Sequence, residues 1–254
     1  MKIHADAAQL EWRSYLELSR DWVGIQELKD GVDVHTNNQH RFSLPTRLVS
    51  KKFLFRWIYR GTAYAYSVDN DFMPASTDPA FWQSVIDAAN EKYNVLYEYQ
   101  ESIIRQAKKK EVIVIPSGRE FLFSMSKNKQ KEFYWDIKKI VNYINQGFGA
   151  DIMMVVRYIL RKKIEKYFGF DRVRLENTVH DSLDLDVDND PELLYNISIE
   201  TENAFTKVPE VFHKFFGREF VTPIIGEVKF GNSNLDLMPF KRELGKEQFL
   251  CKLK

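Results

Sequence analysis

Arg47, Lys51, Phe55 and Tyr59 recur every four residues in "RLVSKKFLFRWIY". On an α-helix each four-residue step turns about 40° past a full turn and climbs about 6 Å, so the four line one gently drifting face roughly 18 Å long. Two cations lie near the helix start and two aromatic rings near its end. Cations beside the positive end of a helix dipole cost free energy unless an anion is present. A phosphate would offset that cost and the rings could stack on a base, the chemistry of holding a nucleoside triphosphate. The plainer alternative is an amphipathic core helix with a solvated basic edge.

Two aspartates suggest a second kind of chemistry. Asp6 ends a short apolar lead in "KIHADAAQLEWR", and Asp181 follows "ENTVH" at the expected tip of a hairpin. Carboxylates held at adjacent strand ends can bind a pair of Mg²⁺ ions about 4 Å apart, the arrangement for in-line phosphoryl transfer. Asp184, Asp186, Asp188 and Asp190 continue the acidity. Strand alternation puts Asp184, Asp186 and Asp188 on the face opposite to Asp181, where they read as a solvated strand face and helix-cap residues. The stretch "DLDVDND" also lacks the Gly and terminal Glu of a calcium loop.

These residues need a scaffold. A chain of 254 residues, 44% hydrophobic, can bury a core in one large domain or two small ones. Lys plus Arg number 37 against 36 Asp plus Glu, so the net charge of +1 argues neither for nor against an anionic partner. The single cysteine, Cys251, excludes an internal disulfide framework and any CxxC metal site. With no apolar signal region at the start and no 18-residue apolar run, the chain reads as cytoplasmic, without a membrane segment.

Residues 2–8 read as a strand end and "LEWRSYLELSRDW" as a loose helix, followed by the polar "DGVDVHTNNQHRFS". Thr46 caps a helix that stops near Gly61. From "STDPAFW" to about Lys110 the pattern is helical and long, with Pro79 in the first turn. "EVIVIP" and "SGREFLFSM" make a strand pair with Ser-Gly in the turn. Residues 128–168 carry a second long helical pattern, interrupted by "GFGAD" without proline. "RVRLENTVHDSLDLDVD" reads as two strands hinged near residues 177–182, "DPELLYNISIETENAFTKV" as a capped helix, and "TPIIGEVKFG" as a closing strand. Strands at both ends with helices between them give an α+β protein. No internal repeat or low-complexity segment occurs.

In this order the stretches resemble family A (DNA polymerase I-type) DNA polymerases. "DAAQLEWR", from Asp6 through Glu11 to Arg13, resembles motif A, D-x4-E-x-R. The run from Arg47 to Gly61 resembles motif B, the fingers helix with R-x3-K-x3-F/Y-x3-Y-G, and Val179-His180-Asp181 resembles motif C, V-H-D-E. "DVHTNNQ" from Asp33 is similar to the family's D-I-H-T segment, and "LPTR" after it is like the phage replicative members. "NYINQGFGAD" from Asn142 resembles N-x3-Q-G-x2-A-D, and "GEVKFGNSN" the final palm strand with its G-x-N. The resemblance covers residues 3 to about 235.

The resemblance implies a polymerase palm, an antiparallel sheet with packed helices, plus mostly helical fingers: palm over 1–30, fingers over 31–115, palm again over 116–240 and a tail over 241–254. It implies a DNA-directed DNA polymerase that transfers a nucleotidyl group from dNTP to a primer 3′-hydroxyl on primer-template DNA. Asp6 and Asp181 would hold two Mg²⁺ ions, one activating the primer hydroxyl and one neutralising the leaving pyrophosphate. Lys51 and Arg47 would clamp the triphosphate, with His35 as a further phosphate contact. Phe55 and Tyr59 would form the platform for the nascent base pair, and Glu11, held by Tyr59, would fill the space a ribose 2′-hydroxyl needs. His180 and Gln146, and more weakly Arg119, would contact the primer terminus or the minor groove. The basic runs "RQAKKK" and "RYILRKKIEK" are either duplex contacts or ordinary exposed helix faces.

The sequence departs from the family pattern at two points. Ser182 stands where motif C has Glu, the form that single-subunit RNA polymerases show, and Arg60 separates Tyr59 from Gly61 in motif B. A phage-type RNA polymerase is therefore one alternative, although it is expected to carry Gly in place of Glu11, and a non-catalytic DNA-binding replication subunit is the other. The family normally places a thumb and earlier palm strands ahead of motif A, where this sequence has only Met1 to Ala5. The expectation is a split polymerase whose second polypeptide carries the thumb and exonuclease, and whose strands cover an otherwise open edge beside Asp6.

Overall fold

The structure is a computed structural model that describes residues 1–252; the last two residues of the tail lie outside the described residues. In chain order the first elements are β1 (Lys2–Ala7), α1 (Leu10–Ser19), α2 (Trp22–Lys29), α3 (Val34–Arg41), α4 (Arg47–Trp57), α5 (Ala63–Ser67), α6 (Pro79–Lys92) and α7 (Asn94–Lys110). Next come β2 (Val112–Val114), β3 (Glu120–Leu122), β4 (Ser126–Lys127), β5 (Phe133–Tyr134) and α8 (Ile137–Lys163), which runs on into a π-helical turn at Ile164–Phe168. The chain closes with β6 (Val173–Val179), β7 (Ser182–Val187), α9 (Pro191–Thr206), α10 (Val208–Phe216), β8 (Gly226–Gly231), β9 (Met238–Pro239) and α11 (Gly245–Lys252). Two compact units emerge: Met1–Leu10 with Phe148–Lys254, and Glu11–Gly147.

The first unit is built on an antiparallel sheet in the order β6-β7-β1-β8-β9. Strand alternation is clean: Ile3, Ala5, Ala7, Leu183, Leu185, Val187, Val228 and Phe230 are buried, whereas the residues between them on β1 and β7 are half-buried. Helix α9 packs on β1 and β8. Gly226 permits this approach, because a Cβ there would come within 2.2 Å of the Phe205 ring. Asp190 caps α9 by accepting from the Glu192 and Leu193 amides at 2.9 and 3.2 Å. The expectation of an open edge beside Asp6 is corrected. β1 is a central strand, flanked by β7 and β8, both of which come from far downstream.

In the second unit α4 is anchored by its apolar face. Phe53 stacks on Trp82 with ring centroids 6.2 Å apart, and Tyr66 lies 5.2 Å from Phe53 and 5.1 Å from Trp82. The Thr46 hydroxyl accepts from the Val49 amide at 3.2 Å and sets the helix start. Three stretches differ from the sequence expectations. The polar stretch after residue 30 contains α3, capped by Asp33, whose carboxylate accepts from the His35 and Thr36 amides. The long pattern up to Lys110 is two helices that meet at Tyr93, whose hydroxyl lies 2.8 Å from Glu27 and 3.0 Å from Asn38. The second long pattern starts only at Ile137, after the β4–β5 hairpin, and passes through "GFGAD" without a break.

Candidate active site

In the first unit the β6–β7 hairpin delivers Asp181 to the end of β1. Asp6 pairs with Ser182 across one side and with Glu227 across the other. The Ala7 amide donates to the Asp181 carbonyl at 2.8 Å, so the two aspartates are locked by backbone to adjacent strand ends. His180 occupies the left-handed region at φ 52°, which lets the chain reverse in two residues. Partial burial, and next the charge of Asp181, push the Asp6 carboxyl above its ordinary range, with His4 opposing them. Ser182 donates its hydroxyl to the Val179 carbonyl at 3.0 Å and so closes the turn. Farther along the same face His4 meets Asp184 at 2.8 Å and Lys2 meets Glu176 at 2.6 Å. Asp184 and Asp186 thus lie on a half-buried polar face, and Asp188 and Asp190 pair with Arg172.

Among the described residues no group of three or more His, Cys, Asp or Glu side chains is arranged to hold a metal ion. Asp6 and Asp181 could together offer two carboxylates as hard oxygen donors. That set suits Mg²⁺, which binds through one or two carboxylates and completes its shell with water and substrate phosphate. The Asp6 carboxyl is raised first by burial and only then by the Asp181 charge, and a cation bound between the two would relieve that second effect.

In the second unit Arg47 and Lys51 are placed differently. The Arg47 guanidinium grips Asp33 in a forked pair, Nε at 2.6 Å and Nη2 at 3.2 Å, which holds the Asp33 carboxyl well below the usual range. Lys51 is exposed and enters none of the ion pairs found among the described residues. With Phe55, Tyr59, Leu48 and Phe72 it lines a cavity of about 490 Å³. His35 is buried at 1% exposure, and neither ring nitrogen has a hydrogen-bond partner among the described residues. Burial first, then the Arg47 charge, push its pKa down to about 4, so at neutral pH it is a neutral imidazole. Its ring centroid lies 6.1 Å from that of Phe55.

Tyr59 joins a polar knot within this unit. Its hydroxyl is hydrogen-bonded with the Glu11 side chain, with Gln146 and with Asn145, the last at 3.2 Å. Burial and the Glu11 charge hold the phenol far above its ordinary pKa, so it stays protonated and available as a donor. Asn145 also donates to the Glu11 carbonyl at 3.1 Å. The sequence reading passed over Asn145, although it stands directly before Gln146 in the quoted segment. Arg119 lies in the β2–β3 turn, where its carbonyl accepts from the Ile115 amide at 3.0 Å.

A family model, DNA polymerase family A, matches residues 1–215. The chain belongs to DNA polymerase family A. Among solved structures it is similar to the POL domain of Pol1 from M. smegmatis in complex with DNA primer-template and dNTP, with a TM-score of 0.69 at 22% identity. The likeness covers 91% of this chain and 39% of that one, so the chain spans well under half the length of that structure. No curated protein sequence matches it significantly.

As a family A domain, the chain has the α+β fold that its strand and helix patterns imply. No helix among the described residues is long and apolar enough to cross a membrane.

Proposed function

We propose that this family A chain carries the catalytic machinery for template-directed DNA synthesis, transferring a nucleotidyl group from dNTP to a primer 3′-hydroxyl. The observation that carries the reading is the backbone-locked pair of Asp6 and Asp181, set at adjacent strand ends with mutually repelling charge. The two carboxylates would hold Mg²⁺. When bound, two such ions lower the pKa of the attacking hydroxyl and neutralise the leaving pyrophosphate. The chain's own residues do the positioning. Lys51, exposed and outside the ion pairs found among the described residues, serves as the point charge for the triphosphate. Arg47 reaches phosphate only by exchanging its Asp33 partner, which makes Asp33 a stand-in for the anion in the free protein. His35 contributes a neutral ring N–H and not a charge. Phe55 and Tyr59 present their rings beside Lys51 to the base pair, and Tyr59 holds Glu11 where it would exclude a ribose 2′-hydroxyl. His180 at the hairpin tip, with Gln146 and Arg119, would contact the primer terminus or the minor groove.

Support for DNA over RNA comes from Glu11 and its bond to Tyr59, a partnership that a glycine at the gate could not make. Measured incorporation of dNTP against rNTP by the wild-type protein tests this; a preference for rNTP would overturn the substrate assignment. We further propose that the grip on the primer duplex, and any exonuclease, comes from polypeptide beyond this sequence, since the match to the M. smegmatis structure leaves most of that chain without a counterpart. Co-purification from the native source of a polypeptide that raises primer-extension activity is the expected result. Full, processive extension by this sequence alone would refute it.

A further inference from the structure

A groove of about 590 Å³ lies between α8 and β6 in the first unit. Its walls carry three arginines, Arg157, Arg161 and Arg174, and three exposed apolar side chains, Met154, Tyr158 and Phe170; among the described residues no carboxylate lines it. Arg157 and Arg161 stand one turn apart on α8, where like charges repel. None of the three arginines enters an ion pair found among the described residues. Arg174 donates to the Asp171 carbonyl at 3.3 Å, and the Arg161 guanidinium lies 5.8 Å from the centroid of the Phe170 ring. Three guanidiniums outside any ion pair among the described residues, with the nearby Glu165 carboxylate of Arg161 already held by Lys162, stand beside exposed rings and call for an anionic occupant that also has flat faces.

An added polypeptide strand is the competing occupant, and the edge of β6 is poorly suited to one. Its register shifts between Leu175 and Asn177, and the Val173 amide is already taken by the Gly169 carbonyl at 3.1 Å. A bulged, partly satisfied edge resists strand addition. Single-stranded nucleic acid meets the same groove on better terms, with phosphates on the guanidiniums and bases on the rings. We propose that this groove binds a single-stranded nucleic acid segment, with its backbone along Arg157, Arg161 and Arg174 and its bases against Tyr158 and Phe170. The groove uses none of the residues assigned to nucleotidyl transfer, so it is a second nucleic-acid site that goes beyond that reading.

The test compares the full protein with its R157Q/R161Q/R174Q variant, reading fluorescence anisotropy of a labelled oligothymidylate over a salt series. The expected result is single-strand affinity lower by roughly tenfold or more and a log–log salt slope shallower by about 2, from three phosphate contacts at about 0.7 each. Binding of blunt duplex, and extension on a template with a one-nucleotide overhang, stay unchanged. The R157K/R161K/R174K variant retains the slope and controls for folding. Ultraviolet crosslinking of a bromodeoxyuridine oligonucleotide should label the peptides that contain Tyr158 or Phe170. Unchanged affinity and slope in the glutamine variant, or crosslinks that map only elsewhere, would overturn the proposal. So would poly-glutamate competing better than an oligonucleotide of equal charge, which would give the groove to an acidic polypeptide. Because the readouts are binding and crosslinking, an inactive wild-type protein would sink the polymerase reading and leave this one standing.

Discussion

Replacing Tyr59 by phenylalanine removes the hydroxyl shared by Glu11, Asn145 and Gln146 and leaves the ring on α4. Glu11 loses a donor, and the Asn145 amide loses the acceptor it meets at 3.2 Å. A hydrogen bond to a charged group contributes about 1.5–3 kcal/mol net. Tyr59 and Glu11 are both half-buried, so the lower end applies. Since about 1.4 kcal/mol is a factor of ten, a loosened Glu11 should lower the preference for dNTP over rNTP roughly tenfold. The change should come from faster rNTP incorporation, with dNTP incorporation nearly kept. Single-nucleotide primer extension gives kcat/KM for each sugar. Glu11→Ala should lower the ratio at least as far, and the double variant should go no further than Glu11→Ala alone, because both act on one carboxylate. An unchanged ratio in Tyr59→Phe, beside a collapsed one in Glu11→Ala, would refute the coupling.

Three more expectations follow from the geometry. The His35 imidazole should titrate near 4 by NMR, so stability tied to its neutral form is present above about 6.5 and is lost as pH falls from there towards 4. Bound dNTP should raise that pKa, and titration near 6.5 in the free protein would contradict the burial argument. Because the folded state raises the Asp6 carboxyl, its ionisation weakens the fold as pH climbs past the ordinary carboxylate range. Asp6→Asn should therefore melt above wild type in metal-free neutral buffer, the gap closing in acid, while Mg²⁺ raises the wild-type melting point alone; a lower-melting variant under chelation would argue against this. Thr46→Ala should cost about 1 kcal/mol in urea unfolding and Thr46→Ser should recover most of it, since the cap is one hydroxyl on one amide.

Local chemistry explains what was legible in the sequence. Thr46 and Asp190 announce helix starts because their caps act within three residues, and "SLDLDV" announces a strand because one face is buried. The pairing of β1 with β8 joins Ile3 to Phe230, a partnership that no local pattern encodes. Helix α3 was hidden by its polarity, since only Val34, His35 and Asn38 are buried and the remainder faces outward. The break at Tyr93 has no glycine or proline to mark it; Glu27 and Asn38, distant in sequence, hold the Tyr93 hydroxyl. At the candidate site Asp6, Asp181, Lys51 and Tyr59 were nameable from spacing. The capture of Arg47 by Asp33 and the place of Asn145 in the Tyr59 knot depend on tertiary approach and needed coordinates.

In the proposed reaction Asp6 and Asp181 together carry metal-dependent nucleotidyl transfer. Primer extension by the Asp181→Asn protein, assayed with any native partner and with Mg²⁺ and dNTP, tests it most directly. A loss of about 3 or more orders of magnitude in rate, with primer-template affinity and a cooperative melting transition retained, is the predicted result, on the scale that removing a group central to catalysis brings. Extension at the wild-type rate would contradict it and leave the chain a DNA-binding subunit with a polymerase fold.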